Sequence, residues 1–294
     1  MEDIIMIDIK TFIKRHPVLT YFALTFAISW GGVLIVVGPG GIPGTTAQAE
    51  TLLPFVVLAM FPGPTIASIL LTGLVYGKVG LRELLSRLLR WRVGARWYAV
   101  ALLTAPLLVT ATLFALSLTS PVFLPGILNT SDKASLLLVC IAYGLGAGFF
   151  EELGWTGFAV PKLRLRYGVL ATGLIVGLLW GAWHFLTNFW GSGDSTGAFT
   201  LALFLPAQLF AVGVLPAYRV LMVWAYDRTG SLLVAMLMHA SLTANWLILM
   251  PPAISGVPFL TYYLVLAATL WVVVAAVAVA NRWRSEWGSI GRTR

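Results

Sequence analysis

Apolar runs long enough to cross a lipid bilayer recur along this whole 294-residue sequence. An α-helix rises 1.5 Å per residue, so about 20 apolar residues cross the hydrocarbon core. Hydrophobic residues make up 59% of the chain and charged residues only 10%. We therefore predict an all-α, polytopic membrane protein with about eight transmembrane helices. The runs cover residues 18–38, 52–77, 97–118, 134–158, 168–189, 199–224, 231–250 and 259–281.

The basic residues predict how these helices are oriented. If the N-terminus is cytoplasmic, every lysine and arginine except Lys133 falls in a cytoplasmic segment. Cytoplasmic loops are enriched in Lys and Arg in this way, so we predict that both termini are cytoplasmic in a multi-pass protein of the plasma membrane. The net charge of +8 then reflects membrane insertion, and we expect no nucleic-acid partner.

One basic segment is predicted to contact lipid. Residues 78–97, KVGLRELLSRLLRWRVGARW, have the pattern of a basic amphipathic helix. Such helices lie in the membrane interface, where anionic lipids attract Lys and Arg. We therefore expect anionic lipids among the partners of this chain.

The remaining sequence predicts a single membrane domain. We place a cytoplasmic N-terminal segment at 1–17, one transmembrane domain at 18–285 and a basic tail at 286–294. The one cysteine, Cys140, excludes an internal disulfide and a cysteine-cluster metal site. It lies among apolar residues, and we predict that it is a small buried side chain.

We assign four ionisable residues to the interior of the apolar runs, and Arg219, near the end of the sixth run, to the cytoplasmic segment after it. Glu151 and Glu152 lie in the fourth run, His184 in the fifth and His239 in the seventh. A carboxylate at the centre of a helix in lipid costs at least about 2.5–3.5 kcal/mol on insertion scales, and such residues usually face the bundle interior and mark function. We predict that all four surround one polar cavity, with Glu151 and His184 close enough to share a water or a metal ion.

Glycines share the faces of these residues. Gly144 and Gly148 lie near the glutamates on the fourth helix, and overlapping GxxxG patterns lie near His184 on the fifth. Small residues allow helices to approach closely. We therefore predict that the fourth and fifth helices meet at these glycines.

Three stretches in order resemble a known family: EELGWTGFAVPKL (151–163), WGAWH (180–184) and TGSLLVAMLMHAS (229–241). Together they are similar to the EExxxR, aromatic-xxx-His and HxxxN motifs of the CAAX-protease and bacteriocin-processing (Abi) family of intramembrane endopeptidases. The resemblance covers residues 134–250. It implies hydrolysis of a peptide bond in a membrane-associated or lipidated protein or peptide.

The resemblance also implies roles for the four residues. Glu151 is our first choice for the general base, His184 would orient or bind the water, and His239 would stabilise the oxyanion; Glu152 would support them. A glutamate and two histidines can activate water directly or as three ligands of zinc with an open fourth position. Zinc bound by Glu151, His184 and His239 is therefore the alternative to a metal-free mechanism.

Two residues depart from the family pattern. Thr156 stands where the family has arginine, and Thr243 stands where it commonly has asparagine. Thr243 shares a face with His239 and can donate a hydrogen bond, with Asn188 a weaker replacement. Because no other basic residue is expected within the helices, we predict that Glu152 lacks a counter-charge and is mostly protonated at neutral pH, unless a metal ion or a histidinium lies beside it.

These departures keep other functions open. A family member with impaired catalysis could act as an immunity or scaffold protein in the membrane. A buried polar network that only locks the helices, or a proton relay in a transporter, would use the same residue types. Loss of activity on Glu151→Ala would separate an enzyme from a scaffold, and ion flux in liposomes would identify a transporter.

Overall fold

The fold is a bundle of helices, and the computed structural model describes residues 11–38, 41–252 and 254–281. Within these residues, eight helical spans are long and apolar enough to cross a membrane. The predicted all-α, eight-helix membrane fold is therefore confirmed. In chain order, spans 1 to 8 are Pro17–Val37, Thr46–Leu88, Ala95–Ser117, Lys133–Leu163, Val169–Trp190, Leu201–Thr229, Leu232–Leu249 and Gly256–Ala280.

Span 2 is bent, and its second helix ends at Leu88, earlier than predicted. It consists of Thr46–Met60 and Pro62–Leu88, and the second helix is kinked at Gly77, where φ is +60°. Residues 89–94 are not helical, so the predicted continuous helix over 78–97 is wrong. Carbonyls in this stretch find tertiary donors instead of helical ones, as in the 2.6 Å bond from the Ser231 hydroxyl to the Arg90 carbonyl.

Spans 4 and 6 are each interrupted by a π-helical turn. The interruptions are Trp155–Ala159 and Phe210–Val214. Each turn is followed closely by a proline, Pro161 or Pro216, which cannot donate the backbone hydrogen bond of a regular helix. Such turns occur frequently at functional sites. The helical pieces are Lys133–Gly154 and Val160–Leu163 in span 4, and Leu201–Leu209 and Leu215–Thr229 in span 6.

The shorter elements connect the spans. Span 5 consists of Val169–Trp183 and Phe185–Trp190, which are separated at His184. A 3-10 turn at Pro121–Phe123 and a short helix at Gly126–Asn129 join spans 3 and 4.

The predicted contact between the glycines of spans 4 and 5 is wrong. Gly148 of span 4 packs on the backbone of Met236 and Ala240 in span 7. In span 5, a Cβ added at Gly173 would lie 2.6 Å from the Cα atom of Val220 in span 6. Small residues indicate a close approach between helices but carry no information about which helix is the partner.

Two further predictions concern single regions. Cys140 is buried against Ala244 and Ile248, as predicted. The basic tail at 286–294 and most of the N-terminal segment, residues 1–10, lie outside the described residues.

Candidate active site

The two adjacent glutamates lie at the end of the regular part of span 4, directly before its π-helical turn. Glu151 is 4% exposed and Glu152 is fully buried. A buried carboxylate requires hydrogen-bond donors or a counter-charge. The two side chains meet this requirement with different partners.

Glu152 forms an ion pair with a residue that the sequence analysis assigned to a cytoplasmic segment. The fully buried guanidinium of Arg219, in span 6, donates to both carboxylate oxygens over 2.6 and 2.9 Å. The Thr156 hydroxyl donates to the same carboxylate. The prediction that no basic residue could pair with Glu152, and hence that it is mostly protonated, is therefore wrong.

His239 connects the two glutamates. Its Nδ1 lies 2.7 Å from the Glu152 carboxylate, and its Nε2 lies 3.9 Å from Oε1 of Glu151. Because an ionised carboxylate only accepts hydrogen bonds, Nδ1 is the donor in the first contact. The pairing with Glu152 therefore fixes the ring so that Nε2 points towards Glu151.

Glu151 is held by two tryptophans. Its Oε2 accepts hydrogen bonds from the indole nitrogens of Trp180 at 2.8 Å and Trp155 at 3.2 Å. The Trp180 ring also lies under the Arg219 guanidinium, 4.2 Å from its carbon atom, in a cation–π contact. Arg219 thus contacts Glu152 directly and the tryptophan that positions Glu151.

Three of the four predicted residues share one cavity. Glu151, His184 and His239 line a space of about 340 Å³ among spans 4 to 8. Glu152 does not line it and lies behind His239, so the prediction that all four residues surround the cavity holds for three of them. A smaller cavity of about 160 Å³, bordered by span 2, also reaches Glu151 and His184.

The supporting residues also lie at this cavity. Thr243 lines the larger cavity, one helical turn after His239. Asn188 lines both cavities, and its amide donates to the Ala207 carbonyl over 3.4 Å. The Nδ1 of His184 donates to the Trp180 carbonyl over 2.9 Å. That bond leaves Nε2 as the free ring nitrogen of His184.

Comparison with known proteins relates this chain to a family of membrane proteases. A family model for type II CAAX prenyl endopeptidases, Rce1-like, matches residues 133–246. The CAAX prenyl protease 2 of Methanococcus maripaludis is 23% identical over 241 residues, which cover 79% of this chain and 84% of that protein. Both matches support the CAAX protease family for this chain. The matched region contains both glutamates, both histidines and Arg219.

Arg219 is the residue of this candidate site that sequence reasoning missed. The family pattern places an arginine four residues after the second glutamate, where this chain has Thr156. Here the guanidinium comes from span 6 and reaches the same carboxylate, with the Thr156 hydroxyl 3.5 Å from it. The sequence around Arg219, LPAYRVLMV (215–223), is apolar, which is unusual for an exposed cytoplasmic arginine. This pattern could have indicated that Arg219 is buried.

The predicted zinc ligands do not form a ligand set in this arrangement. Within the described ranges, no group of three His, Cys, Asp or Glu side chains is placed to hold a metal ion. Both histidines use Nδ1 in hydrogen bonds to protein groups, which leaves Nε2 as the nitrogen that a metal ion would take, so the argument depends on the spacing of the ligands alone. We therefore assign no step of the reaction to a metal ion, and zinc stays a prediction to be tested.

Proposed function

We propose that this chain is an intramembrane endopeptidase that cleaves a membrane-associated or lipidated protein or peptide with water activated by Glu151. The observation that supports this most strongly is the environment of the Glu151 carboxylate. Two indoles fix Oε2, while Oε1 faces His239 beside an enclosed cavity. A base must be held in place and still reach the water that it deprotonates.

The proposed reaction uses three side chains. Glu151 takes a proton from water as the water oxygen attacks the scissile carbonyl carbon. His184 holds that water through Nε2, and His239, protonated at Nε2, donates to the oxyanion with help from Thr243. When the C–N bond breaks, Glu151 returns the proton to the leaving amine. Glu152 and Arg219 keep the His239 ring in place.

The cavity favours an apolar substrate segment. Aromatic side chains of spans 6, 7 and 8 also line this cavity, among them Phe210, Trp246 and Tyr263. Pockets of this kind bind apolar groups and orient them with a few polar contacts. The name of the Methanococcus relative refers to CAAX prenyl substrates. A farnesylated CAAX peptide is therefore the first probe.

The alternative of an inactive immunity or scaffold protein depended on Thr156 and Thr243. Arg219 supplies the charge that Thr156 lacks, and Thr243 has a hydroxyl at the cavity. Both observations favour the endopeptidase. We retain the plasma membrane as the proposed location.

The test is cleavage by purified wild-type protein and Glu151→Gln in liposomes, together with comparative peptidomics of membranes from cells that express each. Gln keeps the size of the side chain and an acceptor oxygen but cannot take the proton. We expect cleavage of the probe, or of an endogenous peptide, by wild type alone. Equal product patterns from folded wild-type and Glu151→Gln protein would rule out the proposal.

A further inference from the structure

A second cavity lies at the membrane face that the charge distribution assigns to the cytoplasm. It has a volume of about 340 Å³ and lies where span 1 begins and span 4 ends. Lys14, Arg15 and His16 line one side, and Lys162 and Arg166 line the other. It shares no lining residue with the cavity at Glu151.

The positive charge of this cavity is only partly offset by the described residues, because Glu83 offsets some of the charge at Lys162. Among the residues that the structure describes, no Asp or Glu lines the cavity itself. The ion pairs within the described parts of the chain involve Arg87, Arg164 and Arg219 as the cations, together with His239, and none of the basic residues of this cavity. Four like charges around one space repel each other, so a bound anion would be stabilised there.

One of these cations is held in a defined position. The Lys162 ammonium lies 3.8 Å from the centre of the Phe158 ring and 4.5 Å from that of Tyr76. Phe158 is fully buried, so one ring of this cation–π arrangement belongs to the core of the bundle. A positioned ammonium that lines the same cavity as two arginines is suited to a compact oxyanion such as phosphate.

Leucines at the rim favour a lipid as the source of that phosphate. Leu19 and Leu165 line the same cavity and are 62% and 84% exposed. Exposed apolar side chains beside cations fit acyl chains that continue from a headgroup. We propose that this cavity binds the phosphate of an anionic lipid headgroup at the cytoplasmic face. The proposal does not depend on the proposed peptidase activity.

The test compares two double variants that each remove two positive charges from the same face. Arg15→Gln/Arg166→Gln changes the cavity, and the control, Arg82→Gln/Arg92→Gln, changes exposed arginines outside it. Binding of dioleoylphosphatidylglycerol to detergent-solubilised protein is measured by native mass spectrometry, with phosphatidylcholine as the neutral comparison. We expect about fivefold weaker binding for each charge removed from the cavity, and a clearly smaller loss in the control, whose arginines lie in the basic segment 78–97 and attract anionic lipid only through their general charge.

Three further results test the site, the lipid as its ligand and the electrostatic argument. Equal weakening in both double variants would show general attraction to a basic face and would overturn the site. Displacement of the lipid by millimolar inorganic phosphate would make free phosphate the ligand and would overturn the lipid assignment. Arg15→Lys/Arg166→Lys keeps the charges and should bind like wild type. Loss of binding in that variant, with an unchanged melting temperature, would contradict the electrostatic argument.

Discussion

Arg219 and Glu152 form a fully buried, bidentate ion pair between spans 6 and 4, with guanidinium–carboxylate distances of 2.6 and 2.9 Å. The same carboxylate receives Nδ1–H of His239. Because Arg219 and His239 share the Glu152 carboxylate, a substitution at Arg219 should change the position of His239, which we propose to stabilise the oxyanion. This makes Arg219 a positioning residue in the proposed reaction.

The first prediction moves the arginine back to its place in the family motif. Arg219→Met should lower cleavage of the probe peptide roughly 10- to 100-fold, the range seen when outer partners that orient site residues are removed. Adding Thr156→Arg places a guanidinium one helical turn from Glu152, so the double variant should recover activity. The measurement is kcat and KM in liposomes.

A matched control for this experiment is Thr156→Arg alone. Two buried guanidinium groups would then face one carboxylate, and we expect that variant to be less active than the double variant. The double variant restores a guanidinium beside Glu152 but not the Arg219 side chain itself. If its activity recovers, Arg219 acts by positioning His239 through Glu152 and not by general packing. If the double variant were as inactive as Arg219→Met while remaining folded, the positioning role would be refuted.

The second prediction concerns stability. Glu152→Gln leaves Arg219 buried without a counter-charge, which costs about 3–5 kcal/mol in comparable pairs. The double variant Glu152→Leu/Arg219→Met removes both charges and should lose much less. Thermal unfolding in detergent of this double variant and of the single variants Glu152→Leu and Arg219→Met completes a double-mutant cycle, which measures the coupling between the two residues.

The partly exposed pair of Arg164 and Asp227 provides the comparison. It joins the ends of spans 4 and 6 at 2.9 Å, with the Asp227 side chain 37% exposed. Exposed pairs contribute about 0–1 kcal/mol, so Asp227→Asn should barely change the melting temperature. A loss of stability as large as that of Glu152→Gln would contradict the claim that burial makes the Arg219 pair important.

Sequence patterns were sufficient to predict the eight-helix fold, because each apolar run can be recognised as a transmembrane helix from its own residues alone. They also identified Glu151, His184 and His239, since ionisable residues inside such runs are rare. Arg219 was missed because positive-inside reasoning assigns an arginine to the nearest loop. The π-helical turn and the tryptophans that hold Glu151 depend on contacts between helices that are far apart in sequence.

The glycine patterns show the same limit. Gly173 and Gly177 predicted a close helix contact correctly, but their partner is span 6 and not span 4. A face of small residues fits any helix that can approach it. The choice among helices is made by the whole bundle, which includes the ion pair between spans 4 and 6.

The third prediction follows from this packing. Gly173→Ala would place a methyl group 2.6 Å from the backbone of Val220, so spans 5 and 6 must separate. Overpacking of this kind costs about 1–3 kcal/mol and should also displace His184, which follows on the same span. Gly146→Ala is the control, because its new methyl group would lie 3.7 Å from the Phe61 ring, an ordinary contact. Similar melting temperatures and activities for both variants would contradict the observed helix pairing.

The last prediction concerns metal dependence. The Nδ1 hydrogen bonds of His184 and His239 leave Nε2 as the nitrogen that a metal ion would take. In the part of the chain that the structure describes, however, no group of three His, Cys, Asp or Glu side chains is placed to hold such an ion. Two indoles donate hydrogen bonds to Oε2 of Glu151. If this oxygen bound a metal ion, at least one of these hydrogen bonds would have to weaken or break. We therefore expect cleavage of the probe peptide to persist after treatment with 1,10-phenanthroline, and purified active protein to contain zinc well below one ion per chain. Glu151→Gln, treated identically, gives the background rate. If chelation abolished cleavage and zinc alone restored it in wild type but not in His239→Ala, the two histidines and Glu151 would be metal ligands, and the water would be activated by zinc.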